Sequence, residues 1–253
     1  MRAYEDISYV AEHDGVHLLD LYLPDGECRA LFLFLHGGGF VEGSRKDAAT
    51  MPGFLKDMTD AGFGVASVEY RMYPEAKYPD FIEDAALAVK YAIEDLPAYG
   101  EYGKLILGGC SAGAHITQML CFNKKYFEAV GVEPSSIAAY VHDAGQPTVH
   151  FNVLKERGLD SRRVIIDESA PLFHIGSPDS YPPMQFIISD NDIPNRLEET
   201  ELMIGTLKRF DADMSKIYVT RTKGNHVWYT KASTPEGNSV YADLIIPFIN
   251  GVI

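Results

Sequence analysis

Lys104-Leu105-Ile106-Leu107-Gly108-Gly109-Cys110-Ser111-Ala112-Gly113 is the stretch on which the fold turns. The apolar run Leu105-Ile106-Leu107 predicts a strand, and Ala114 to Leu120 predicts a helix. Between them, Gly109-Cys110-Ser111-Ala112-Gly113 matches G-x-S-x-G, a sharp turn that lifts a serine hydroxyl above the end of a strand. The flanking glycines let the backbone bend tightly and keep side-chain bulk away from it. The pentapeptide alone arises by chance in roughly one chain in ten, so its context decides. Here a strand leads in and a helix leads out, which makes Ser111 a candidate nucleophile rather than part of an ordinary glycine-rich turn. Cys110 beside it reads as a small packing residue.

The pattern on either side repeats this alternation. Val16 to Leu23 alternates apolar and polar residues up to Pro24 and reads as an outer strand. Ala30 to Leu35 is apolar throughout, as expected of a strand buried on both faces. Gly64 to Tyr70, Ile137 to Val141, Met184 to Ile188 and Ile217 to Val219 read as further strands. From Pro79 to Leu96, residues Ile82, Ala85, Ala86, Val89 and Ile93 share one helical face. Leu197 to Phe210 and Ser239 to Ile249 are the other clear helices. Strands and helices alternating over the whole length predict one α/β domain, residues 1–253, with a mostly parallel sheet. Residues 151–183 lack a strong period and carry Pro171, Pro178, Pro182 and Pro183. They read as a long irregular excursion of the kind that forms binding loops.

Three further signals converge on the serine. Ala30 to Leu35 ends in His36-Gly37-Gly38-Gly39. Glycines there leave backbone N–H groups free for the negative charge that develops on a carbonyl oxygen in a transition state. Gly38 and Gly39 are the expected donors, completed by the N–H of Ala112, while His36 props up the loop. A serine needs a base, and the base needs an orienting acid. Phe186-Ile187-Ile188 leads into Ser189-Asp190-Asn191-Asp192, which puts two carboxylates at the end of a strand. Asp192 is preferred, because Asp190 lies nearer the strand and is placed to cap the loop. His226, the last of eight histidines, follows the final strand and is the expected base. His115 reads as a buried helix residue, and His142, His150 and His174 are too dispersed for a metal site. Glu198, Glu199 and Glu201 read as a solvated helix face.

Composition excludes other classes of function. With 46% apolar and 23% charged residues, the 253-residue chain is neither disordered nor fibrous, and it can build a core without disulfides or metal. Its net charge of −14 argues against nucleic acid and anionic membranes as partners. Its three cysteines, Cys28, Cys110 and Cys121, lack zinc-site spacing and suggest a reducing, cytoplasmic location. No signal segment opens the chain, and no apolar stretch is long enough to span a bilayer. Leu244 to Ile249 is expected to pack on the sheet, a homodimer face being its other use.

Taken together, these segments resemble the α/β-hydrolases. They are similar to the feruloyl/acetyl-esterase-like and hormone-sensitive-lipase-like branches, with relatives of the kynurenine formamidase type. The resemblance rests on His36 to Phe40, on Tyr70-Arg71-Met72-Tyr73-Pro74-Glu75 followed by Tyr78-Pro79, and on Gly109 to Gly113. It extends to Glu168-Ser169-Ala170-Pro171-Leu172, to Pro182-Pro183, to Asp192 and to His226. It implies a central, mostly parallel eight-stranded sheet with helices on both faces, and ester hydrolysis without a cofactor or metal. It places Ser111, Asp192 and His226 as the triad, with Gly38, Gly39 and Ala112 as oxyanion donors. Cys110 stands where the lipase-like branch has an acidic residue, and the chain ahead of the first strands is too short for that branch's helical cap. Val227-Trp228 follows the histidine where a Gly-Phe pair is common. These departures favour the small, capless esterases.

The expected substrate is a small or short-acyl ester, acetylated sugars included. Residues 151–183, Phe40 and Trp228 are expected to wall its pocket. An amide or formamide hydrolase would use the same triad, and a non-catalytic binding module on this fold is the reading from another class.

Overall fold

A computed structural model describes residues 1–12, 14–178 and 180–253. Its strands are β1 (Arg2–Ser8), β2 (Leu18–Leu23), β3 (Ala30–Leu35), β4 (Phe63–Val68), β5 (Lys104–Cys110), β6 (Ile137–Asp143), β7 (Met184–Asn191) and β8 (Ile217–Asn225). They form one sheet in the order β1-β2-β4-β3-β5-β6-β7-β8. From β4 across to β8 every pairing is parallel, whereas β2 runs antiparallel to both its neighbours. The chain leaves β3 to one side to make β4, then returns past it to make β5. Such a reversal of strand order opens a crevice at the carboxyl ends of the strands.

The α-helices are α1 (Asp47–Thr50), α2 (Phe54–Asp60), α3 (Asp80–Glu94), α4 (Ala112–Phe122), α5 (Lys125–Val130), α6 (Phe151–Glu156), α7 (Arg196–Arg209) and α8 (Val240–Val252). Successive side chains of a strand point to opposite faces, and β3 shows why it had to be apolar throughout. Leu31, Leu33 and Leu35 join a core with α3, α4 and α7, while Ala30, Phe32 and Phe34 join another with α1, α2 and α8. Ile245, Phe248 and Ile249 of α8 are buried in that second core, which is the sheet-packing use expected of the C-terminal apolar run. Among the described residues no helix is long and apolar enough to cross a membrane.

Two expectations are corrected at the β1 side of the sheet. β2 is not outermost, because β1 pairs along its free side. Its alternation also misleads, since all six residues are buried. Asp20 can sit there because Arg45 Nε and Lys46 Nζ approach its carboxylate at 3.2 and 2.8 Å. β1 was unreadable because only Ile7 of its seven residues is buried.

The excursion at residues 151–183 is more ordered than its sequence suggests. It opens with α6 and holds a 3₁₀ turn, Pro171–His174; Asp179 within it lies outside the described residues.

Candidate active site

Ser111 sits in the turn between β5 and α4, with φ of 54° and ψ of −109°. That conformation is costly for any residue with a Cβ, and its surroundings impose it. The Ser111 N–H donates to the Asp143 carbonyl at 2.7 Å, and the Ser111 carbonyl accepts the His115 N–H at 3.0 Å. The flanking glycines are required by close approach. A Cβ on Gly109 would lie 2.4 Å from the Gly113 carbonyl, and one on Gly113 would lie 2.0 Å from Leu35 O. No side chain fits at either position, so the turn packs tightly against the end of β3.

His226 reaches the serine from beyond β8. The Ser111 hydroxyl and His226 Nε2 are 2.8 Å apart, and His226 Nδ1 and Asp192 Oδ1 are 2.5 Å apart. A carboxylate only accepts, so Nδ1 carries the proton and donates to Asp192. Nε2 is then free to accept from the Ser111 hydroxyl. The Asp192 side chain is 1% exposed, and the buried Arg196 guanidinium interacts with it from the start of α7. Asp190 has a different part: its Oδ1 accepts the Gly224 N–H at 2.8 Å, which secures the loop before His226.

The three glycine carbonyls after His36 are each held by a donor. His36 Nδ1 lies 2.8 Å from Gly37 O. The N–H groups of Val41 and Glu42 reach Gly38 O at 3.0 and 3.1 Å. Asn152 Nδ2 donates to Gly39 O at 2.5 Å. In a trans peptide the N–H points opposite to the preceding carbonyl. Fixing the Gly37 and Gly38 carbonyls therefore directs the N–H groups of Gly38 and Gly39, and among the described residues neither meets an acceptor. Ala112, the first residue of α4, likewise has no intrahelical acceptor for its N–H.

The Tyr70 to Glu75 segment braces this loop. The Tyr70 hydroxyl donates to His36 O at 2.7 Å, and its ring stacks on His36 at 4.3 Å between centroids. Arg71 binds the buried Asp84 through Nε and Nη2, and the Tyr73 N–H donates to Phe40 O at 2.8 Å. His36 Nε2 lies 3.1 Å from Glu69 Oε1. The imidazole is fully buried, which fits a prop and not a base.

A cleft of about 660 Å³ opens above Ser111 and His226. Its apolar lining includes Val41, Met51, Phe151, Ile193 and Val227, and Lys155 and Lys231 also face it. Of the described residues of the excursion, only those of α6 contribute, through Phe151, Asn152 and Lys155. Phe40 is corrected as a pocket residue. It is 0% exposed, stacked 4.0 Å from Phe81 and packed 4.3 Å from His150. Trp228 is also absent from the lining, and its indole N–H turns back to Thr222 Oγ1 at 3.3 Å.

The remaining tempting groups are structural. Burial pushes the Cys110 thiol well above its ordinary pKa, so it stays protonated. Burial lowers His115 to about 4 and His142 to about 3, and each spends Nδ1 on a neighbour, Gln146 O and Thr117 Oγ1 respectively. His174 lies 2.8 Å from Glu168 O, away from the cleft. Three residues that brace the site carried no readable motif: Asn152 and Asp143, which meet its backbone, and Tyr229, which meets Asp143. The Tyr229 hydroxyl donates to Asp143, which ties the His226 loop to the end of β6.

With this geometry in view, the comparisons with known proteins can be placed. The BD-FAE family matches residues 19–153, which span β2 to α6 and include the glycine loop and Ser111. The chain belongs to the BD-FAE family. This BD-FAE chain is 32% identical over 145 residues to the non-reducing polyketide synthase mapC of Penicillium roqueforti, covering 51% of this chain and 6% of that protein, and 32% identical to Esterase LipI of Mycobacterium tuberculosis. The LipI match runs over 133 residues, 52% of this chain and 35% of LipI. The chain spans 36% or less of the length of the curated relatives it matches first. Among solved structures, it resembles a hyperthermophilic esterase from the archaeon Pyrobaculum calidifontis, with a TM-score of 0.75 and 22% identity over 100% of this chain and 87% of that one. A truncated carbohydrate esterase from gut microbiota gives a TM-score of 0.76 and 16% identity, covering 99% of this chain and 96% of that one. The BD-FAE chain has the α/β-hydrolase fold, with eight strands, a mostly parallel sheet and helices on both faces.

Proposed function

We propose that this chain is a serine hydrolase of small or short-acyl carboxylic esters, working as one catalytic unit. The observation that carries the reading is the continuous chain of contacts from Asp192 through His226 to the Ser111 hydroxyl, beside a loop and helix start whose N–H groups at Gly38, Gly39 and Ala112 meet no acceptor among the described residues. His226 takes the Ser111 proton as Oγ attacks the ester carbonyl. Asp192 holds the imidazole tautomer and stabilises the imidazolium. The N–H groups of Gly38, Gly39 and Ala112 receive the charge on the tetrahedral oxygen. His226 then protonates the leaving alcohol, and water activated by the same imidazole releases the acid from the acyl-enzyme.

Relatives and structural neighbours named as esterases support the ester reading. The neighbour described as a carbohydrate esterase makes acetylated sugars a reasonable class to test.

Hydrolysis of p-nitrophenyl acetate, butyrate and octanoate tests this reading, with Ser111→Ala beside the wild type. The expected outcome is turnover that favours acetate or butyrate and falls by about 10⁴- to 10⁶-fold in kcat in the variant. Turnover that survives Ser111→Ala, or that favours octanoate, counts against it. Silence on all three esters with activity on a formamide would move the chain to amide chemistry.

A further inference from the structure

The third glycine carbonyl depends on a side chain from elsewhere in the chain. Gly37 O is held by the adjacent His36 and Gly38 O by the next turn of its own loop, whereas Gly39 O is held by Asn152, 113 residues away on α6. We propose that Asn152 is a positioning residue for the oxyanion site, clamping the Gly39 peptide so that the neighbouring N–H groups keep their aim. The inference rests on the ester-hydrolase reading and extends it to a residue that the motifs do not include.

The geometry is restrictive on both sides of the bond. Gly39 has φ of 65°, and a Cβ there would come within 3.3 Å of both Asn152 Nδ2 and the Phe151 ring. Helix α6 therefore lies directly against a loop whose glycines have no rotational preference of their own. The Gly39 carbonyl can only accept, so the carboxamide must present nitrogen to it. No described residue donates to Asn152 Oδ1, which leaves the bond to Gly39 as the one fixing the amide.

Asn152 is itself set in place from below. Its backbone N–H donates to His150 Nδ1 at 3.2 Å, the cap of α6. The His150 ring is wedged between Phe40 and Phe151, with centroids 4.3 and 4.2 Å away. Burial holds its pKa well below the ordinary histidine value, with nearby cations acting in the same direction. Nδ1 therefore remains an acceptor. Phe40 follows Gly39 in the chain, so one aromatic stack supports both partners of the clamp.

A clamp on the oxyanion loop acts on the transition state, because the carbonyl oxygen gains most of its charge there. Its removal should lower kcat and leave substrate binding nearly intact. Asn152→Leu keeps the size and loses the donor, Asn152→Asp sets an oxygen against Gly39 O, and Asn152→Ala is the fallback should either fail to fold. Each is compared with wild type and Ser111→Ala on p-nitrophenyl acetate, with inhibition by an aryl trifluoromethyl ketone, whose tetrahedral adduct places an oxyanion in the loop. In a variant that melts within a few degrees of wild type, kcat should fall about 10- to 100-fold and KM should change less than about threefold. The ketone inhibition constant should rise by the same factor as kcat/KM falls. Unchanged kcat and ketone inhibition in a folded variant overturn the proposal, as does a rise in KM at constant kcat. If wild-type turnover does not depend on Ser111, the ester-hydrolase reading fails first and takes this inference with it. If it does depend on Ser111 and the Asn152 variants match wild type, the inference alone is lost.

Discussion

Ser111 and the glycine loop leave β5 and β3, in the middle of the sheet, whereas Asp192 and His226 leave β7 and β8, the last two strands towards one edge. All six residues of β3 are buried, but only Thr222 is buried among the nine of β8. The two halves are held by different forces. At the centre, backbone meets backbone so closely that Gly109 and Gly113 admit no side chain. At the edge, individual hydrogen bonds set the geometry: Asp190 to the Gly224 N–H, Asn191 Nδ2 to Asn225 Oδ1 at 2.5 Å, and Tyr229 to Asp143. Packing fixes where the nucleophile stands, and polar contacts fix where its partners stand. Substitutions at the centre should therefore damage the fold, and conservative changes at the edge should damage chemistry while sparing stability.

The largest effect is expected at the edge. Asp192→Asn should lower kcat on p-nitrophenyl acetate by about 10⁴-fold with little change in melting temperature. Asp190→Asn should cost less than about tenfold, because it touches only the loop backbone. If Asp190→Asn proves the crippling change, the assignment of the acid is reversed.

At the centre, Gly113→Ala would press a methyl group to 2.0 Å from Leu35 O. We expect a loss of stability of about 3 kcal/mol or more by denaturant titration, or no soluble protein. A folded, active Gly113→Ala protein would show that the elbow is looser than its contacts imply. Phe40→Ala should cost about 3–5 kcal/mol through the cavity it leaves. Trp228→Ala should cost less, since that ring is 36% exposed. An ester-series preference that shifted with Trp228→Ala while stability held would restore it as a pocket residue.

Asp143 joins the two halves, its carbonyl on Ser111 and its carboxyl on Tyr229. Burial raises its carboxyl to about 8, further raised by the charge of Asp192, while hydrogen bonds from Tyr229 and Cys110 pull it down. The native state thus keeps a proton that the unfolded chain releases near pH 4. The sign follows: this group's contribution to stability declines as pH rises from about 4 to about 8. Asp143→Asn has no such dependence. Relative to wild type, it should gain about 3–4 kcal/mol between pH 5 and pH 8 in urea titrations. Parallel curves for the two proteins would mean that Asp143 ionises normally in the native state.

What could be read from the sequence follows the same division. The central strands were legible because burial on both faces forces unbroken apolar runs, as in Ala30 to Leu35. Ser111 and the glycine loop were legible because steric necessity writes glycines at fixed positions. β1 and most of β8 were not, because edge strands with one buried residue each carry no period. Distance along the loop favours Asp192 over Asp190 as the acid; Asp192 meets His226 Nδ1, and Asp190 meets the Gly224 N–H. Phe40 was misread because an aromatic residue after a glycine loop suits a pocket wall as well as an anchor, and only packing distinguishes them. Asn152 left no trace, since a single long-range side-chain bond to backbone has no sequence pattern.

The central claim, that Ser111 is a nucleophile activated by the edge of the sheet, is tested most directly by intact-protein mass spectrometry after treatment with a fluorophosphonate. Wild type should gain one adduct, mapped to Ser111, Ser111→Ala should gain none, and His226→Ala should label far more slowly. An unlabelled wild type, or an adduct that persists in Ser111→Ala, would contradict the account.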